Sequence, residues 1–163
     1  MNQPPEVPLN LVEVRHSPQH GRGVFALHPI TAGSRILPFR GPLLRLAEID
    51  EASYHLQIGE DEYLGSSGAP DDYVNHSCAP NCALDEALWL YALQAIPSGA
   101  ELTWDYSTAI DEAGFAGFPC DCGSRECRGS VRSYRDLVAT DRSRLQPLLL
   151  PYLRRKYPGP DFA

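Results

Sequence analysis

The stretch "DYVNHSCAPNC", residues 72–82, crowds an Asn-His pair, two cysteines and a Pro-Asn turn into one bend. No helical or strand period explains that density of polar and sulfur atoms. A second cluster, "PCDCGSRECRG", carries Cys120, Cys122 and Cys127 at C-x-C-x4-C spacing. Soft thiolates at such spacing suit a divalent metal: zinc takes four ligands in a tetrahedron, with sulfur at about 2.3 Å. Three cysteines on a Gly-containing loop supply three corners, and either Cys78 or Cys82 can supply the fourth. The competing reading is three unrelated thiols. The five cysteines are odd in number, and the opening "MNQPPEVPLN" offers neither the basic residue nor the apolar run of a secretory signal. A disulfide framework is therefore not expected, and a structural zinc site tying the bend to the C-terminal third is.

The elements that must hold these clusters read as short strands. "NLVEVRHS" alternates apolar and polar residues. "HGRGVFAL" is a Gly-rich turn entering a strand, and "ITAGSRILPFRGPLL" is a turn followed by extended chain. "YHLQI" and "EYLG" form a hairpin around Gly59, while "LWLYALQAI" and "IPSGAELTWDYS" supply two more strands. Fifteen prolines and thirteen glycines spread along 163 residues punctuate one β-rich domain rather than mark a linker. After Val131 the character changes. "SYRD" has capping-box spacing, and Leu145, Leu148, Leu149 and Tyr152 share one helical face. Pro147 suits a first turn and Pro151 should kink or break the helix. "RRK", residues 154–156, reads as a complement to a helix C-terminus.

Charge narrows the partners. The net charge is −7, but residues 131–163 hold seven basic and three acidic side chains, leaving the preceding part at −11. Direct nucleic-acid binding by the main body is disfavoured and a basic partner favoured. Residues 48–62 hold six acids and no Lys or Arg. A solvated loop is the commoner meaning of such a run; a rim attracting a cationic peptide is the functional one. No stretch approaches the roughly 18 apolar residues of a membrane span. A cytoplasmic, reducing location is expected, with delivery to a host cell or a nucleus left open.

Taken in order, "HGRGVFA", "ITAGSRI", "NHSCAPN", "ELTWDYS" and "CDCGSRECRG" resemble a SET-domain protein lysine methyltransferase with its post-SET zinc motif. The resemblance covers about residues 11–131. Its size suggests a small, single-domain, microbial-type member. It implies a mainly β, β-clip fold: several small curved sheets around a pseudoknot in which the "NHSC" segment passes under "ELTWDY". Residues 1–131 would be the SET domain, with the zinc loop at about 118–131. Residues 132–163 would be a short helical extension packed on the same domain.

The resemblance also implies roles. S-adenosylmethionine would lie along the main chain of Gly21, Arg22 and Gly23, against Asn75, His76 and Tyr106. Cys78, Cys120, Cys122 and Cys127 would hold zinc, leaving Cys82 structural. Tyr106 would be catalytic, with Phe39 and Trp104 beside it in the substrate channel. Phe115 and Phe118, before the metal loop, could close that channel, although two aromatics in a loop are as often ordinary packing. Methyl transfer to an amine is an in-line displacement that needs a neutral nucleophile and positioning more than a general base. Neither Phe39 nor Trp104 carries the phenol hydroxyl that would hold a water or a partly methylated amine, which points to di- or trimethylation; the bulk of Trp104, which could constrict the channel, points the other way. The substrate expected is a basic protein, histone-like or ribosomal. Lys156 is the one lysine of the chain, so it is the only internal side-chain target. A non-catalytic SET-like module that binds a basic peptide is the alternative, as is a zinc-stabilised scaffold acting through its basic C-terminus.

Overall fold

The computed structural model describes residues 11–50 and 54–159. The opening ten residues and part of the acidic run, residues 51–53, lie outside them. The architecture is four small sheets. The first has the order β1 (Val12–His16), β2 (Arg22–Ala26), β10 (Glu101–Trp104), β7 (Asn75–His76). The second is β3 (Arg35–Pro38), β9 (Trp89–Ala92), β8 (Cys82–Leu84), and the third is β4 (Leu43–Leu44), β6 (Tyr63–Gly65), β5 (His55–Gln57). The fourth is a hairpin of β11 (Phe118–Pro119) and β12 (Ser130–Val131). This is the mainly β architecture of several small sheets that the motifs imply, built from shorter strands than the sequence runs suggest.

The alternation of "VEVRH" leaves β1 partly exposed at the edge, whereas Gly23 to Ala26 of β2 are buried because β1 and β10 flank that strand. The hairpin around Gly59 forms as read, with Leu56 opposite Leu64 and Gln57 opposite Tyr63.

The crossing that matters for function is the parallel pairing of β7 with β10, Thr103 beside Asn75 and Trp104 beside His76. Two strands so short cannot hold each other by two ladder steps alone. Asn81 completes the join: its Oδ1 accepts from the Thr103 amide at 2.9 Å, and its Nδ2 donates to the Glu101 carbonyl at 2.8 Å. The Pro-Asn turn of the "NHSCAPN" bend is thus a clamp on the "ELTW" strand. The core runs beneath this join through Val24, Leu90, Ile96, Leu102 and Trp104.

The same core is closed from below by the C-terminal extension. It forms α1 (Ala139–Leu145) and α2 (Pro151–Lys156), separated by a 3-10 turn over Gln146–Leu148. The sequence predicts one helical face here. Pro151 instead opens a second helix at its first turn, where the missing N–H costs nothing. Leu145, Leu149, Leu150 and Leu153 are fully buried all the same. The capping box expected at "SYRD" does not form: Ser133 starts only a 3-10 turn, and its hydroxyl donates to the Glu112 carbonyl at 2.9 Å.

Replacing Asn81 with Ala leaves one strand amide and one strand carbonyl of β10 without their partners. Each such loss costs about 1–3 kcal/mol, so denaturant titration of Asn81→Ala should show a destabilisation of about 2–6 kcal/mol. A loss below about 0.5 kcal/mol would mean that the clamp is dispensable.

Candidate active site and metal centre

The four thiols of Cys78, Cys120, Cys122 and Cys127 come together with all Sγ atoms within 4.8 Å of one another. Cys120 Sγ lies 3.8 Å from both Cys78 Sγ and Cys127 Sγ. A tetrahedron with arms of about 2.3 Å has edges of about 3.8 Å, so the donor set and its spacing fit zinc. The choice between Cys78 and Cys82 is thereby made. Cys82 is buried in β8, away from the cluster, and burial pushes its thiol up to about 12. Burial also raises Cys78, to about 11. Burial works against Cys122 as well, but the Ser124 hydroxyl and the Cys78 and Ser124 amides overcome it and bring that thiol down to about 6. A bound divalent cation would favour the thiolate at all four positions.

The metal loop is wired to the rest of the site by Arg128, next to Cys127. Its amide donates to Cys78 Sγ at 3.4 Å. Its guanidinium forks onto the fully buried Asp105 carboxylate at 2.7 and 2.8 Å. Asp105 caps the turn Tyr106–Thr108 by accepting from the Ser107 amide. His76 bridges the same two parts. Its Nδ1 accepts from the Tyr106 amide at 3.2 Å, which leaves the proton on Nε2, 3.3 Å from Cys78 Sγ. Burial brings His76 down to about 4, with Asp105 opposing and Arg128 reinforcing the shift, so the ring is neutral at pH 7. The 3.7 Å approach of His76 to Asp105 is therefore a contact, not an ion pair.

Two openings flank this join. One is a cleft of about 290 Å³ between Gln19 and His20 on one side, Asn75 and His76 on the floor, and Phe118 and Cys120 on the other side. Gln19 Nε2 donates to the Cys122 carbonyl at 2.9 Å, so the Gly-rich turn and the metal loop are stitched across it. Asn75 Nδ2 holds the carbonyls of His20 and Arg22 and meets Glu101 Oε1 at 2.7 Å. Gly23 is required here: a Cβ would collide with that same Glu101 carboxylate, which the Ser17 hydroxyl also holds. Gly21, at positive φ, turns the chain into β2, which opens with Arg22 and Gly23 next to the cleft residues Gln19 and His20; the Arg22 guanidinium lies over the Tyr73 ring, 4.4 Å from its centroid. That contact, with Asp72 accepting from the Ser66 hydroxyl and the Ser67 and Gly68 amides, explains the "DY" before "VNHSC" as a local brace.

The other opening is a groove of about 1240 Å³ whose inner end is formed by Phe39, Trp104, Tyr106, Phe115 and Phe118. Trp104 meets Phe39 edge-on at 5.8 Å and lies tilted on Tyr106 at 5.0 Å; Phe118 meets Tyr106 at 6.4 Å. The Tyr106 hydroxyl donates to the Val74 carbonyl at 2.8 Å. Burial, with Tyr54 and the charge of Glu101 adding to it, raises its pKa, so it stays a phenol. Phe118 lines both openings; Asn75 and His76 line the cleft and Tyr106 lines the groove.

Sequence reasoning missed Glu101, Asp105 and Arg128, which are ordinary charges until the fold brings them together. Within the acidic run, Glu48 accepts from the Arg45 amide and Asp61 from that of Leu46, Glu60 pairs with Lys156, and residues 54–57 line the groove; among the described residues, the acids lining it are Asp71, Asp72 and Glu112.

Residues 21–107, more than half of the chain, match the SET domain family model. The chain is 29% identical over 136 residues to human histone-lysine N-methyltransferase 2B, aligning 72% of this chain with 5% of that protein. It is 31% identical over 137 residues to human histone-lysine N-methyltransferase SETD1B, aligning 69% of this chain with 7% of that one. It thus spans less than a tenth of the length of these relatives. Among solved structures, KRYPTONITE in complex with mCHG DNA and SAH is 28% identical with a TM-score of 0.59, over 74% of this chain and 29% of that chain. Arabidopsis thaliana SUVH6 shares the fold at 24% identity and a TM-score of 0.63, over 74% of this chain and 33% of that one.

Elemental analysis should find one zinc per chain. Cys82→Ser should keep it and Cys78→Ser should lose it; the reverse pattern would overturn the ligand assignment. By its fold, its Asn-His join beside the "ELTWDY" strand and its four-cysteine cluster, together with the family match, the chain belongs to the SET-domain family.

Proposed function

We propose that this protein is an S-adenosylmethionine-dependent protein-lysine N-methyltransferase acting on a basic, histone-like tail. The observation that carries the reading is the juxtaposition of two openings that share Phe118: a small cleft lined by Asn75 and His76, and an aromatic groove lined by Tyr106, whose ring lies 5.2 Å from that of His76. The methyltransferase names of the relatives and the SAH in the KRYPTONITE complex support it.

The cleft suits an amino-acid-bearing nucleoside, with polar side chains from Gln19, His20, Asn75 and Asp121 against the apolar faces of Phe118, Pro119 and Val131. S-adenosylmethionine bound there supplies a methyl carbon made electrophilic by a sulfonium. The chain's own task is to bring a neutral amine to it in line. A free lysine has a pKa of about 10.4, so stripping its proton at pH 7 costs about 4–5 kcal/mol. Phe39, Trp104, Tyr106, Phe115 and Phe118 reduce that cost by desolvating the ammonium, which releases its proton toward solvent before transfer. Tyr106 is not the base, since its proton is held by burial and given to the Val74 carbonyl. With its single donor spent there, the oxygen keeps its acceptor lone pairs for the reacting groups. Asp71, Asp72 and Glu112 along the groove favour a cationic peptide. No hydroxyl on Phe39 or Trp104 competes for the amine, which supports products beyond the first methyl.

A radiolabelled methyl-transfer assay on mixed core histones should label lysine. Tyr106→Phe should reduce the rate by about 100-fold, the range typical of one positioned transition-state contact, with the fold kept by circular dichroism. Unlabelled histones together with no calorimetric binding of S-adenosylhomocysteine would leave only the peptide-binding module.

Because Cys120, Asp121 and Cys122 form one wall of the cleft, chelation of zinc should weaken binding of S-adenosylhomocysteine at least about tenfold, or about 1.4 kcal/mol. Equal affinity in the metal-free protein would separate the metal from the cleft.

A further inference from the structure

The family match ends at residue 107, one residue after Tyr106. The chain beyond it is irregular, yet it forms one wall of the groove: Ile110 and Glu112 line it, beside Gln57 of β5. A backbone without a ladder should be soft. Here it is not free to move. Five consecutive carbonyls, those of residues 108–112, each accept a hydrogen bond from residues 133–152. Leu150 donates its amide to Thr108 at 3.0 Å and Tyr134 its amide to Ile110 at 2.8 Å. The Tyr152 hydroxyl donates to Ala109. Arg135 Nη2 reaches the Asp111 carbonyl at 2.9 Å, and the Ser133 hydroxyl the Glu112 carbonyl at 2.9 Å.

The side chain at the centre of this run is gripped as well. Asp111 is buried, and its carboxylate takes two bonds from Arg135, one from Lys156 Nζ at 2.9 Å and one from the Tyr157 hydroxyl at 3.0 Å. Its amide donates to Gln57 Oε1 at 2.8 Å. A rigid bracket therefore runs from α2, through Asp111, to β5 on the adjoining wall of the groove. The cations that grip Asp111 also neutralise it. Glu112 is left as the carboxylate that this shelf presents to the groove, and it hydrogen-bonds Tyr63.

We propose that the C-terminal extension is the substrate-positioning element of this protein: by holding the carbonyls of residues 108–112 and the Asp111 carboxylate, it fixes the wall against which the substrate peptide lies. This rests on the methyltransferase reading. The grip on residues 108–112 acts on the peptide groove and not on the cofactor cleft, whose walls come from residues 19–20, 75–76, 118–122 and 131. Substrate affinity and cofactor affinity must then respond separately to damage at the Asp111 grip.

Arg135 gives the test, because it touches neither opening. Arg135→Met removes three hydrogen bonds to Asp111 but leaves Lys156 and Tyr157 in place. With mixed core histones as substrate, its KM should rise about five- to tenfold, with kcat within about twofold. Its Kd for S-adenosylhomocysteine should equal that of the wild type. Arg135→Lys, which keeps the charge without the fork, should recover part of the KM. Should Arg135→Met fail to fold, Tyr157→Phe removes one hydroxyl only, and should raise the same KM by about two- to threefold. An unchanged KM, or a cofactor Kd that shifts by the same factor as the KM, overturns the proposal. A wild-type protein that transfers no methyl group to histones instead fails the methyltransferase reading, and this proposal with it.

Discussion

The Asp105 carboxylate is fully buried, and the site is organised around making that tolerable. An isolated carboxylate taken from water would cost far more than any one contact returns. The Arg128 fork answers its charge and the Ser107 amide takes a further share. Each answer has a structural consequence. Arg128 must come from the metal loop, so the loop is drawn against the strand that ends in Tyr106. Ser107 must lie one turn on, so the chain bends immediately after Tyr106. Removing one member of such a pair typically costs about 3–5 kcal/mol, because the other is left buried and uncompensated. The pair therefore works less as a source of stability than as a constraint that permits one arrangement of loop and turn.

His76 adds a second link of a different kind. Its ring is neutral and stands between the Tyr106 amide and Cys78 Sγ. An acceptor at Nδ1 fixes the tautomer, and the N–H that remains faces sulfur. A metal-bound thiolate is a better acceptor than a thiol, so metal binding and the placing of Tyr106 reinforce each other through this ring. Arg144 extends the same logic from α1, donating to the Cys78 carbonyl at 2.7 Å and pairing with Glu126 of the metal loop. The extension thus braces the metal loop at one end and the wall of the groove at the other. The four-cysteine cluster, the small cleft and the aromatic groove are three faces of one cross-linked join rather than three adjacent sites.

Much of this join was legible because its chemistry needs unusual residues at fixed spacing. Four thiols must converge on one ion, and three of them are packed within eight residues, so Cys120, Cys122 and Cys127 announce themselves. Asn75, His76 and Tyr106 were legible only through resemblance, since a lone Asn, His or Tyr carries no period. Asp105 and Arg128 were not legible at all. They lie 23 residues apart, and nothing local distinguishes a carboxylate destined for full burial from a solvated one. The acidic run was legible only as charge. Its charge was plain, but whether a charge faces a groove or accepts from a neighbouring amide depends on where the chain turns, as Glu48 and Asp61 show. The split of the C-terminal helix at Pro151 was half legible: a break is what a proline predicts, but the same ring favours a new first turn.

The extension also bears on why a protein with so few lysines keeps this one where it is. Lys156 Nζ lies 2.9 Å from the buried Asp111 carboxylate and 3.0 Å from Glu60. Both partners raise its pKa, so its amine is held in the ammonium form. An ammonium has no lone pair and cannot attack a methyl carbon. To become a nucleophile it would have to leave Asp111 short of one cation in a buried place, and the wall of the groove would lose part of its bracket in the same step. The contact that stiffens the groove is therefore also one that withholds the chain's only lysine from the methyl transfer proposed for that groove.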